Sequence, residues 1–98
     1  MTSTAAVVVR LPAALAEHAE GQRWLSVQLG DAETVGDVLD ALTEGRPQLA
    51  WRIRDETGAL RRHVNVYVGA EDVRGATGLA TPIADGDVVT VLPSVAGG

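Results

Sequence analysis

Few residues in this sequence have the types and spacing of a reactive site, and the best candidates are its last two. Cysteine is absent, which excludes disulfides, zinc–thiolate sites, CxxC redox chemistry and thiol nucleophiles. His18 lies in a polar connection and His63 opens a strand-like run, and neither has metal-ligand spacing. Ser94 sits in no GxSxG elbow, and the glycines form no phosphate-binding loop. Asp85 and Asp87 flank Gly86, and Glu71-Asp72 follow Gly69-Ala70; both are turn patterns. What remains is Gly97-Gly98. With glycine at about 7% of ordinary sequence, a chain ends Gly-Gly by chance roughly once in 200. Glycine has no side chain to obstruct a narrow cleft. The Gly98 carboxylate is ionised at neutral pH and is a poor electrophile. ATP can convert it to an acyl adenylate on a separate activating enzyme. A sulfur nucleophile that displaces AMP leaves a thiocarboxylate; an amine leaves an isopeptide bond. A cysteine-free chain suits the first product, because no internal thiol can intercept the activated terminus.

Such a terminus needs a scaffold, and 98 residues make one domain. At 46% hydrophobic and 21% charged, the chain is expected to fold. With two Trp, one Tyr and no Phe, the core must be aliphatic. The net charge of −5 argues against nucleic acid as a partner, which would demand a basic surface. All basic side chains other than histidine are arginine. The N-terminus lacks a secretory pattern, and no apolar run approaches the ~20 residues that span a bilayer. A cytoplasmic protein without a membrane partner is the expectation.

The pattern predicts a first strand over 7–11, closed by Pro12, and a second over 24–29 with Leu25, Val27 and Leu29 on one face. The two should pair as a hairpin across a polar, Ala-rich connection containing one helical turn. Val35, Val38, Leu39 and Leu42 follow i, i+3, i+4, i+7 spacing and predict an amphipathic helix. Thr34 should cap it, with Asp37 completing a variant capping box, and Gly45 and Pro47 should stop it. Residues 47–54 read as a second short helix with Leu49 and Ile53 inward. Val64, Val66 and Val68 alternate in a strand, and Val73-Arg74 read as the start of a short one. Residues 88–92 follow the Asp85-Gly86-Asp87 turn; apolar on both faces, they predict a central strand buried on both sides. This order describes an α+β roll with the first and last strands side by side, the β-grasp or ubiquitin-like architecture. Residues 1–93 form the folded domain and 94–98 a flexible tail. The opposite sheet face is expected to expose Val8, Trp24, Tyr67, Leu79 or Val95 as a docking patch, the alternative being that Trp24 and Leu79 complete the core.

The segment His63-Val64-Asn65-Val66-Tyr67-Val68, then Glu71-Asp72-Val73-Arg74, Gly78-Leu79-Ala80-Thr81-Pro82-Ile83, Asp85-Gly86-Asp87 and Val91-Leu92-Pro93-Ser94-Val95-Ala96-Gly97-Gly98 resembles the MoaD/ThiS sulfur-carrier family, most of all its CysO-type branch. The resemblance is close over 63–98; over 1–62 it rests on length, strand order and the 34–42 helix. It implies a β-grasp fold and no catalytic activity of the chain's own. Gly98 would be adenylated by a MoeB/ThiF-like enzyme using ATP, with no permanently bound cofactor and no metal, and converted to a thiocarboxylate. Gly97 would permit close approach, and Val95 and Ala96 would form the part of the tail inserted into a partner. The resemblance further implies a sulfur-accepting synthase as a second partner. In the CysO branch this is a pyridoxal-phosphate cysteine synthase, with a metalloprotease trimming the product. In the MoaD branch it is the larger molybdopterin-synthase subunit, and relatives of both serve other sulfur-containing metabolites. The Arg-rich segment 46–62 departs from both patterns. Two other readings of the terminus stand beside the carrier: a modifier conjugated to amines of target proteins, and an interaction module with an inert tail.

Overall fold

In the computed structural model, residues 5–93 are described. Strand β1 (Ala6–Arg10) has its even residues facing out and Val7 and Val9 buried, as period-2 alternation requires. A single helical turn, α1 (Ala13–Ala16), starts behind Pro12. Strand β2 (Trp24–Gln28) returns antiparallel to β1, with Val9 opposite Leu25. Helix α2 (Val35–Thr43) follows, with Val35, Val38, Leu39 and Leu42 buried. Its N-terminus carries the expected capping box: the Asp37 N–H donates to Thr34 Oγ1 at 3.2 Å, and the Thr34 N–H donates to Asp37 Oδ2 at 3.2 Å. These bonds satisfy backbone and side-chain groups that the first helical turn leaves without intrahelical partners. Gly45, at φ +74°, lets the chain leave the helix end in a conformation that side chains resist. Pro47 then opens helix α3 (Pro47–Ile53), which buries Leu49 and Ile53.

Strand β3 (Val64–Val68) buries Val64 and Val66. The chain reverses at Gly69, φ +60°, directly into β4 (Glu71–Asp72). The short strand therefore begins two residues earlier than Val73. Val73 is fully buried and starts a 3-10 turn (Val73–Gly75), because the Asp72 side chain accepts the Arg74 N–H at 2.9 Å and bends the chain off the sheet. Strand β5 (Val88–Pro93) lies between β1, parallel, and β3, antiparallel. The sheet order β2-β1-β5-β3-β4 makes the first and last strands central neighbours, the β-grasp arrangement.

The Asp85-Gly86-Asp87 turn sets this parallel pairing. Asp85 Oδ1 accepts the Ala6 N–H at 2.8 Å, the Gly86 N–H donates to Ala6 O, and the Val8 N–H donates to Asp87 O. The core is one aliphatic cluster shared by the helices and the inner sheet face, with Val9, Leu39, Leu49, Val66, Val89 and Val91 at 0% exposure. No helix of the described residues is long and apolar enough to cross a membrane.

Candidate functional site

The described residues end with strand β5. Pro93 is still in register with Val64 of β3, so the chain leaves the sheet from its centre, where β1 ends and β3 begins. The candidate residues Val95, Ala96, Gly97 and Gly98 lie outside the described residues, as does the boundary drawn after residue 93.

Beside that exit lies the outer face of the sheet. Strand pairing puts Val8 opposite Val88, Arg10 opposite Trp24 and Thr90, Thr90 opposite Tyr67, and Leu92 opposite Asn65. Directly opposed residues share a face, and each strand repeats every second residue. Trp24, Val8, Val88 and Leu92 are thus one surface, exposed by 58%, 37%, 37% and 40%. The Arg10 guanidinium stacks over the Trp24 ring, 5.2 Å from its centroid, and fixes its orientation. Among the described residues no helix covers this face, and apolar exposure at the end of the central strand is what a partner protein can bury.

The expected patch needs three corrections. Val8 and Trp24 are exposed as expected, and Tyr67 is half-buried. Leu79 is on the other side of the sheet: it packs against the core beside α2, and a Cβ added at Gly36 would meet Leu79 O at 3.2 Å. Val88 and Leu92 belong to the patch but were expected to be buried. β5 is central by pairing on both edges, yet only one of its faces, through Val89 and Val91, is packed. Apolar residues on both faces report burial in two layers only when something covers the second layer. The expected Val95 lies outside the described residues.

The perturbed carboxylates hold turns and ends rather than forming a catalytic pair. Asp37 is held below the usual range by the Glu33 N–H at 3.0 Å and by Thr34. Asp55 is lowered by the Thr57 hydroxyl and N–H in the loop after α3. Glu20 is lowered by its bonds from Arg46, the shortest 2.8 Å. His18 contacts Glu17 at 3.4 Å, and His63 is exposed. No group of three His, Cys, Asp or Glu among the described residues could hold a metal.

Comparison with known proteins agrees with this geometry. The ThiS family model matches residues 9–98. The chain belongs to the ThiS family. It is 45% identical to the sulfur carrier protein CysO of Mycobacterium tuberculosis over 94 residues, 94% of this chain and 98% of that protein. It is 41% identical over 78 residues to small archaeal modifier protein 3 of Haloferax volcanii, covering 80% of this chain and 84% of that protein. Among solved structures, a chain of the Amycolatopsis orientalis BexX/CysO complex superposes with a TM-score of 0.82 at 36% identity, over 94% of this chain and 99% of that one. These relatives are small ubiquitin-like carriers and modifiers rather than catalysts, and this ThiS-family chain shares their β-grasp fold.

Proposed function

We propose that this ThiS-family protein is a sulfur-carrying co-substrate whose Gly98 carboxyl is the working group. A MoeB/ThiF-like enzyme attacks the α-phosphate of ATP with that carboxylate, releasing pyrophosphate and leaving an acyl adenylate. A sulfur nucleophile displaces AMP, and the resulting thiocarboxylate passes its sulfur to an acceptor bound by a second enzyme. Gly97 gives the backbone close access, Val95 and Ala96 occupy the partner's channel, and the outer sheet face seats the partner. The carrying observation is that the family match runs through residue 98, so the Gly-Gly pair falls inside it. The similarity to CysO of the BexX complex supports a partner enzyme as the destination of the sulfur. Trimming of a product by a metalloprotease belongs to the same reading.

Incubation with the activating enzyme, ATP and a sulfide source should add the mass of one oxygen-to-sulfur exchange, located on Gly98 by fragmentation. Gly98→Val should suppress the gain, because a β-branched side chain crowds the attacked carbonyl. Deleting Gly97 and Gly98 should abolish it with little change in melting temperature. Sulfur appearing elsewhere, or persisting after the deletion, rejects the assignment. The 41% identity to an archaeal modifier protein favours conjugation as a second reading. A ladder of bands that survives denaturation in immunoblotted cell extract, absent in Gly98→Val, would select it.

A further inference from the structure

At the end of the sheet where the chain exits, Pro12, Leu15, Val64 and Pro93 line a hollow of about 210 Å³. This exceeds the ~150 Å³ in which a cavity holds a benzene ring, so it can take an aliphatic or small aromatic side chain. Among the described residues that line it, the ionisable side chains are Arg52 and His63, with no carboxylate. Arg62 precedes His63 and is exposed, as both of those residues are.

Arg52 and Arg62 stand out because the other arginines are engaged. Arg46 binds Glu20 and Leu42 O, Arg54 binds Asp40, and Arg74 binds Val64 O, Asn65 Oδ1 and Arg61 O. Arg61 donates to Trp51 O and stacks on its ring, Arg10 stacks on Trp24, and Arg23 reaches Leu11 O at 3.5 Å. Among the described residues, Arg52 and Arg62 are the arginines whose side chains have no such partner. Arg52 lines the apolar hollow and Arg62 adjoins the lining residue His63 in sequence, so positive charge without a carboxylate partner among the described residues lies at this end of a chain of net charge −5.

We propose that this hollow is a second docking site, taking a loop of a partner protein that presents an aliphatic side chain flanked by carboxylates. The loop's apolar tip fills the space between Pro12, Leu15, Val64 and Pro93, and its carboxylates pair with Arg52 and His63, Arg62 adding to the attraction. Because Pro93 is part of the wall, the partner grips the protein at the point where the terminal segment departs. The site is separate from the outer face, which offers apolar surface through Val8, Trp24, Val88 and Leu92. This inference deepens the carrier reading and rests on it for the identity of the partners, the activating enzyme and the sulfur acceptor.

The test measures association of the full-length protein with each of those two enzymes, at low and high salt. Arg52→Glu should slow association with at least one of them by about tenfold at low salt and flatten its salt dependence, as removal of a steering charge does. Arg52→Ala should do so more weakly. Ala41→Glu, on the exposed side of α2 away from the hollow and equal to Arg52→Ala in net charge change, should leave association as in the wild type. Unchanged association of Arg52→Glu with both enzymes overturns the site. So does an equal loss in Ala41→Glu, which would report net charge alone. Amide shifts at Leu15 and Arg52 on deletion of residues 96–98, a cut that leaves Pro93 and its neighbours in place, would assign the hollow to the chain's own terminus and also overturn it. Sulfur gain by a wild type whose binding ignores Arg52→Glu rejects the docking site alone. Binding that depends on Arg52 without sulfur gain rejects the carrier reading and keeps the site.

Discussion

Leu39→Ala probes the packing that holds the sheet in place. Leu39 is at 0% exposure on the inner face of α2, so the substitution removes three carbons from a fully packed position. At ~0.8 kcal/mol per buried methylene, the lost transfer free energy is about 2.4 kcal/mol. The hole adds to this, because the core that Leu39 shares includes β-branched Val9, Val66, Val89 and Val91, whose stiff side chains and paired backbone collapse little. Leucine-to-alanine changes at comparable sites cost about 2.7–5.0 kcal/mol, and the upper half of that range is expected here. A domain of this size has a total stability of roughly 5–15 kcal/mol, so the variant should remain folded but close to its limit. Urea unfolding should show a lower midpoint with an unchanged slope, and the melting temperature should fall by at least about 10 °C. A loss below about 0.5 kcal/mol, typical of surface sites, would refute the assignment of this helix face to the core.

The outer face offers a second prediction. Leu92 keeps 40% of its surface exposed. A partner that covers it gains about 0.6–1.2 kcal/mol of the ~1.5–3 kcal/mol for a whole side chain, so Leu92→Ala should weaken that partner's binding roughly 3- to 8-fold by calorimetry. Unaltered affinity would show that the partner seats elsewhere. A third concerns acid. The folded-state pKa of Asp37 is depressed below 3.8, so its cap stabilises the protein above the unfolded-state value and is lost as pH falls through the folded one. Asp37→Asn should therefore be less stable than the wild type near neutral pH and should lose less on acidification, measured by urea midpoints. Parallel loss in both proteins would mean that the cap does not contribute.

Much of this structure follows from local rules. The i, i+3, i+4, i+7 spacing from Val35 to Leu42 determined a helix and its buried stripe, because a 3.6-residue period allows those residues only one common face. Thr34, Asp37 and Gly45 determined its ends through hydrogen bonds and a backbone angle within a few residues of each other. Alternation at Val64, Val66 and Val68 determined a strand, and the order of elements narrowed the topology to a β-grasp. The Gly-Gly terminus and the motifs before it pointed to the sulfur-carrier family, because the chemistry proposed for Gly98 needs only a carboxylate and room around it.

The surfaces were a different matter. Whether Val88 and Leu92 are core or surface depends on whether a second layer covers them, and no feature of residues 88–93 encodes a layer built by other segments. Leu79 joins the helix side because the chain after β4 folds back beneath α2, where Gly36 leaves space for it. The hollow at the exit gathers Pro12, Arg52, His63 and Pro93 from four separate segments. Which arginines carry uncompensated charge was likewise decided by tertiary contacts, since Glu20 reaches Arg46 and Asp40 reaches Arg54 only after the helices have packed. Short-range periodicity and turn chemistry act within a few residues, whereas exposure and charge pairing are properties of distant segments brought together, and so only the folded chain fixes them.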